Sequence, residues 1–377
     1  MLGNYTIYIR DKNGYFRDRL TDITTLQIIE KVNDVGSWSI KSKTKEKCPF
    51  RAGDGIVVYK KGRYYYSGVL TSIREDYSGY DLLYEWTASG ASDLMFLQWR
   101  ICYPDPITLD LDTVSHYTDS GFVGSVSQRI IDLNVGISAH GERQVPFLGA
   151  TIVESEGNAV SVSLRFQTVL QAVTNLMNSY QFTVRPVWNA ERKMLNFYIR
   201  ESKDASSKVA FSTSVNMMEK MTYKETAPNG NSILAGGKGE LESRHFAKAE
   251  NAESISEWGR IEYFFDRRSV DDATMLAETN AYLRESSQEN IGFIPEMIGD
   301  AATEGFKIKW ELGDYVAVFA QDKVAIQRIL QMDTIITYNS ETVKPTVGSI
   351  ENGHLNSVFE SLKLIRSDLN QVQQAND

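Results

Sequence analysis

The residues able to do chemistry in this chain are four histidines, two cysteines, scattered carboxylates and one glycine-rich run. His116, His140, His245 and His354 never fall into the H-E-x-x-H spacing that sets two imidazoles and a carboxylate on one helical face. His140 has Glu142 two residues on, a pairing that many loops share. Glu154 and Glu156 could form a glycosidase pair, but side chains two apart on a strand point the same way instead of flanking a bond. Asp110, Asp112 and Asp119 could bind calcium, yet the fixed spacing and closing Glu of an EF-hand loop are missing, so the stretch reads as a solvated loop. Cys48 and Cys102 are too few for a disulfide framework or a thiolate metal site and read as buried thiols. Gly236-Gly237-Lys238-Gly239 lacks the glycine spacing and Lys-Ser/Thr pair of a phosphate loop and reads as a strand end. No catalytic, cofactor-binding or metal-binding residue is assigned, and an enzyme is not expected.

A different chemistry, sugar stacking, is offered by Tyr64-Tyr65-Tyr66, Trp86 and Trp99. Alternating aromatics on a strand more often pack against cross-strand neighbours. A carbohydrate-binding or peptidoglycan-hydrolysing protein is therefore the alternative reading. The net charge of −9 argues against nucleic-acid binding as the main activity. The densest basic run, Lys60-Lys61-Gly62-Arg63, reads as a charged hairpin end. An acidic wall would still suit a channel through which DNA slides without sticking. The N-terminus MLGNYTIYIR has no basic region before an apolar core, and no apolar run approaches the roughly 20 residues of a membrane span. Neither a secretory signal nor a membrane anchor is expected.

The elements that must position these groups are mostly strands. Gly53-Asp54 opens the stretch Gly55-Ile56-Val57-Val58-Tyr59, and Gly313-Asp314 opens Tyr315-Val316-Ala317-Val318-Phe319. In both, apolar residues alternate as a half-buried strand requires, and a second apolar pair follows sixteen residues after the Asp. The two copies stand 260 residues apart (314 − 54), which suits one small β-barrel used twice. Asn13-Gly14 predicts a type I′ hairpin turn. Phe166, Val169, Leu170, Val173, Leu176, Met177 and Tyr180 form the apolar stripe of an amphipathic helix, followed by a hairpin from Phe182 to Arg200. Ser269-Val270-Asp271-Asp272 predicts a capped helix carrying Ala273, Leu276, Asn280 and Leu283. Residues 100–160 read as irregular.

The expected fold class is mainly β with α+β: two similar β-barrel domains, smaller α+β insert domains and a C-terminal helix. The first barrel spans 1–95, and an α+β domain spans 96–205 with its helix at about 163–180. The second barrel combines 206–240 with 298–349, an insert with a helix occupies 241–297, and the C-terminal helix occupies 350–377. In that last helix Leu355, Val358, Leu362, Ile365, Leu369 and Val372 repeat at 3, 4, 3, 4, 3, a heptad seam. A helix so short wants a partner, either two further copies in a trimeric coiled coil or its own subunit.

The run Leu195-Asn196-Phe197-Tyr198 through Val209-Ala210-Phe211-Ser212 carries a resemblance, continued by Asn231 to Glu240, Glu242-Ser243-Arg244, Gly259-Arg260-Ile261-Glu262, Leu312-Gly313-Asp314 and Lys344-Pro345-Thr346-Val347-Gly348. In order and spacing it resembles the siphophage tail hub, or tail-associated lysin N-terminal, family. The resemblance implies a homotrimer whose six barrels form a pseudo-sixfold ring, capping the tail tube and adapting it to threefold distal parts. The implied partners are the chain itself, a distal tail protein or tail-tube hexamer, the tape-measure protein, a distal fibre or receptor-binding protein, and DNA only in passage. The implied location is the virion tail tip, assembled in the host cytoplasm. The family often continues into a longer C-terminal region, so with the sequence ending at Asp377 a lytic module is not expected here. A charge in the heptad seam should weaken the trimer: Leu362→Asp is expected to lower the sedimenting mass of the purified chain, and an unchanged trimer would discard the seam.

Overall fold

The computed structural model describes residues 2–78, 83–212, 218–266, 272–287, 290–297, 306–320 and 323–348. It divides into two compact units, one of residues 1–221 with 295–346 and one of 222–294 with 347–377. The proposed seam at 355–372 and the capping residues Ser269 to Asp271 lie outside the described residues.

The first unit begins with seven strands: β1 (Tyr5–Arg10), β2 (Phe16–Leu20), β3 (Thr25–Lys31), β4 (Asp34–Thr44), β5 (Gly55–Lys60), β6 (Arg63–Ser78) and β7 (Leu83–Ser92). Period-two alternation drives them together, since Ile7 and Ile9, Leu26 and Ile28, and Trp38 and Ile40 are all buried on one side. The largest of these, Trp38, donates its indole N–H to the Val69 carbonyl at 3.2 Å. Its ring fits because Gly68 and Gly90 stand against it: a Cβ at Gly90 would come within 2.4 Å of Trp38 Nε1. The opening turn is not type I′, because Asn13 does not take the left-handed φ that turn needs. Instead the Asp11 carboxylate accepts from the Asn13 and Tyr15 amides, both at 2.9 Å.

A short α1 (Met95–Gln98) leads to β8 (Tyr117–Phe122), α2 (Val123–Asn134), β9 (Ile152–Val153), β10 (Ala159–Leu164), α3 (Val169–Ser179), β11 (Phe182–Asn189) and β12 (Met194–Glu201). Residues 100–160 are thus less irregular than their sequence implies. Val123, Val126, Ile130 and Ile131 bury one face of α2, a 3.6-residue pattern that polar neighbours obscure. The α3 stripe buries Val169, Leu170, Val173 and Met177 as expected, with Thr168 capping through the Gln171 amide at 3.1 Å. Phe166 lies outside the helix and half-exposed. These elements share a core with Val57, Val69 and Ala91 of the first strands.

After β13 (Ala210–Ser212) the chain passes between units within β14 (Met218–Thr226). In the second unit β15 (Ser232–Gly236) lies between β16 (Phe246–Glu250), antiparallel to it, and β17 (Glu262–Asp266), parallel to it. So Ser232–Gly236, grouped by sequence with the second barrel, finds its hydrogen-bond partners in the insert. The intervening α4 (Ala252–Trp258) supplies the parallel return. The helix α5 (Asp272–Ser286) buries Met275, Thr279, Leu283 and Ser286, while Leu276 is half-exposed. Leu283 is buried as predicted, but Met275 and Thr279 take the inner positions expected of Leu276 and Asn280, and polar Thr279 fills a core position by donating its hydroxyl to the Met275 carbonyl at 2.6 Å.

The chain returns through β18 (Asn290–Met297) and closes with β19 (Tyr315–Ala320), β20 (Lys323–Thr337) and β21 (Glu341–Gly348). In the first unit the strand order runs β21-β20-β3-β4-β7-β6-β5-β1-β2, with β19 on β20 and β13 on β19. The fold is mainly β, as expected, and the path traced by the described strands is open rather than a closed barrel. A buried ion pair, Arg10 with Asp93, fixes where the first strands meet the helical core. Asp93 also accepts from Ser67 Oγ at 2.6 Å, and the Arg10 guanidinium stacks 4.5 Å from the Phe147 ring. Burial pushes the Asp93 carboxyl up and the Arg10 guanidinium down, each against the pull of the other. Asp93→Ala should therefore cost about 3–5 kcal/mol by stranding Arg10, whereas Arg10→Met with Asp93→Leu should cost much less. Urea unfolding of both variants checks this ordering.

Candidate functional site

The residues first considered for catalysis are dispersed. His116 is exposed, His245 is exposed and pairs with Asp272 at 2.8 Å, and His140 lies 3.8 Å from Glu142. His354 lies outside the described residues. No group of three His, Cys, Asp or Glu side chains among the described residues could hold a metal. Glu156 accepts from the Ser125 hydroxyl at 2.6 Å at the start of α2, while Glu154 is exposed. Asp119 is clamped by Arg129 at 2.7 and 2.9 Å. Asp110 accepts from its own loop, at the Asp112 amide and the Thr113 hydroxyl. The Gly236 and Gly237 carbonyls point at the Arg244 guanidinium, so this run offers acceptors rather than a cradle of amides for phosphate. Tyr65, Tyr66 and Trp86 are buried and form core rather than a sugar platform, while Tyr64 is partly buried and Trp99 half-exposed. Cys102 is buried as expected, and burial pushes its thiol up to about 12, whereas Cys48 is only partly buried.

The residues that do share a geometry are the two Gly-Asp corners. At the first, the Asp54 amide donates to the Arg51 carbonyl at 3.1 Å while the Arg51 amide donates to Asp54 Oδ2 at 2.7 Å. At the second, the Asp314 amide donates to the Glu311 carbonyl at 3.1 Å while the Glu311 amide donates to Asp314 Oδ2 at 2.8 Å. Gly53 at φ +84 and Gly313 at φ +90 supply the left-handed residue that each turn demands. Both carboxylates are 4% exposed and both meet an arginine from another strand, Arg17 on β2 and Arg200 on β12. Charge-assisted bonds of this kind are strong when buried, and they fix the direction in which β5 and β19 leave their turns.

The two hairpins that follow differ by one residue. The Asp54 carbonyl accepts from Leu70, sixteen residues on, and the Asp314 carbonyl accepts from Ile329, fifteen residues on, both at 2.9 Å. A bulge between Val58 and Tyr59 inserts the additional residue in the first hairpin. Equal spacing in sequence thus hides a shifted register.

The second corner carries more charge. Arg200, 2% exposed, contacts Asp314 at 2.8 Å and Glu311 at 3.2 Å, and Arg185 reaches Glu311 at 2.9 Å. Arg328 donates to the Gly313 carbonyl at 3.1 Å and to the Phe182 carbonyl at 2.9 Å, with burial lowering its guanidinium below the usual range. Sequence reasoning found the glycines and aspartates but missed these arginines, which are distant in the chain. Their signal is faint: Arg200 is the penultimate residue of the apolar strand β12, and Arg17 lies among alternating charges on β2. Gly53→Ala should cost about 1 kcal/mol through backbone strain alone. Gly313→Ala should cost more, because its Cβ would lie 2.2 Å from the Thr183 methyl, against 3.3 Å to Lys12 for Gly53. Thermal unfolding midpoints of the two variants check the difference.

Solved structures similar to this chain include tail proteins. The 43 kDa tail protein of prophage MuSo2 from Shewanella oneidensis is similar at TM-score 0.62 and 10% identity, covering 91% of this chain and 96% of that one. A tail protein from Neisseria meningitidis MC58 is similar at TM-score 0.58 and 14% identity, with coverage of 93% and 97%. Prophage tail protein gp18 from Listeria monocytogenes EGD-e is similar at TM-score 0.56 and 14% identity, with coverage of 96% and 99%. No curated protein matches the sequence. The family model described as Siphovirus ReqiPepy6 Gp37-like protein matches residues 6–349. The chain accordingly belongs to the Siphovirus ReqiPepy6 Gp37-like protein family and has the fold of phage tail proteins.

Proposed function

We propose that this chain is a structural hub protein of the siphophage tail tip, a homotrimer in which each copy contributes two similar β-rolls. Six rolls then imitate a sixfold ring, cap the tail tube and join it to threefold parts beyond. The observation that carries this reading is the pair of matching corners, 260 residues apart, each with the same turn, the same carboxylate-to-amide bond and an arginine partner. Strand order supports it: β7-β6-β5-β1 around the first corner corresponds to β21-β20-β19-β13 around the second. The correspondence is not perfect, since β1 runs antiparallel to β5 and β13 parallel to β19.

In this reading the first roll is residues 1–95 and the second is built around 298–349. Leu355, Val358, Leu362, Ile365, Leu369 and Val372 hold three copies together. The partners are a distal tail protein or tail-tube hexamer, the tape-measure protein and a distal fibre or receptor-binding protein, with DNA only passing through. The role is mechanical, without catalysis, and its place is the tail tip of a virion assembled in the host cytoplasm. Sedimentation equilibrium of the purified chain should give three times the chain mass, and electron-microscope projections along the axis should show six lobes. A monomer, or three lobes only, would overturn the proposal.

A further inference from the structure

A basic cavity of about 500 Å³ opens beside the tip of the β5–β6 hairpin. Lys60, Lys61, Arg63 and Lys307 line it against a single lining carboxylate, Glu341, in a chain whose net charge is −9. Lys60 is neutralised by Glu341 at 2.7 Å, and Lys307 by Glu30 at 2.8 Å. Lys61 and Arg63 are exposed, and neither side chain has a carboxylate partner among the described residues. The apolar part of the wall includes Ile308, which is 66% exposed. The cavity thus asks for a partner carrying both carboxylates and apolar side chains.

The same chain carries a loop of that chemistry. Between Asp105 and Val114 there are three aspartates (Asp105, Asp110, Asp112) and no Lys or Arg. Ile107 and Leu111 are more than half exposed, so the loop also offers apolar side chains to a partner. The loop is also pre-ordered. Asp105 accepts from the Ile107 and Thr108 amides and the Thr108 hydroxyl, and Asp110 from the Asp112 amide and Thr113 hydroxyl. Those bonds hold both carboxyls below the usual carboxylate range, so they stay ionised, and little ordering entropy remains to be lost on docking.

We propose that the cavity receives the 105–114 loop of a second copy of this chain, with Lys61 and Arg63 facing its aspartates and Ile308 facing its apolar side chains. This rests on the self-association proposed above. Such a contact joins unlike surfaces, and repeated around an axis it closes a ring. Opposed rim charges set register and association rate, and salt weakens them.

Sedimentation equilibrium at low and at high salt tests the idea on the full chain. Lys61→Glu with Arg63→Glu is expected to weaken assembly about tenfold or more at low salt, and Asp112→Lys to do the same. Combining all three substitutions in one chain should restore most of the loss, and zero-length crosslinking of the native protein should join Lys61 to the 105–114 loop. If the native chain is a monomer, the self-association reading itself fails. If the native chain assembles but the charge reversals leave it unchanged, or their combination restores nothing, this docking is wrong while self-association stands. Inorganic phosphate raising the unfolding midpoint of the native chain, with reversal variants that assemble normally, would assign the cavity to a small anion and likewise overturn it.

Discussion

The first unit depends on one ladder. Residues Thr25–Lys31 of β3 pair antiparallel with Gln331–Thr337 of β20, joining segments some 300 residues apart. Side chains reinforce it on both sides: Gln27 donates to Asp333 at 3.2 Å, and Tyr65 and Thr334 share a hydroxyl contact at 3.2 Å. Nearby, Tyr5 and Lys60 both reach Glu341, at 2.6 and 2.7 Å. Because these polar groups are partly or fully buried, each is held by the other, and losing one side strands the other. The beginning and end of the first unit therefore stand or fall together.

Around that ladder, the buried ions act as pins rather than as a reservoir of stability. Arg10 with Asp93 locks β1 to the end of β7, and Arg200 with Asp314 locks the end of β12 to the start of β19. Desolvation offsets much of what each pair gains, but a wrong register would leave a bare charge inside. Register is what a sheet of this kind most needs, since a one-residue slip turns every core side chain outward. The two Gly-Asp corners serve the same end, because each sets the first residue of a hairpin.

Much of the β architecture was legible from local pattern. Alternation at Ile7 and Ile9 or Val316 and Val318 reports burial directly, and the α3 stripe does so at helical spacing. The matching corners were visible because glycine and aspartate are the residues such turns require. Other features were not local. Arg17 and Arg200 are ordinary cations in sequence, and only the fold brings them to Asp54 and Asp314. The bulge at Val58 turns an equal spacing of sixteen into unequal registers, which sequence comparison cannot register. On α5, Leu276 attracted the prediction although Thr279 holds the inner position, because a threonine that bonds its own helix can be buried. Ser232–Gly236 announces an apolar strand by its pattern but not its partners, which are β16 and β17.

The β3–β20 ladder also bears on how the protein is made. When β3 leaves the ribosome it can pair with β4 at once, but the strand for its other edge is synthesised some 300 residues later. At 5–20 residues per second that interval is roughly 15–60 s. For that time the nascent chain presents an unpaired edge bearing Leu26 and Ile28, open to capture by the β20 of a neighbouring polypeptide on the same message.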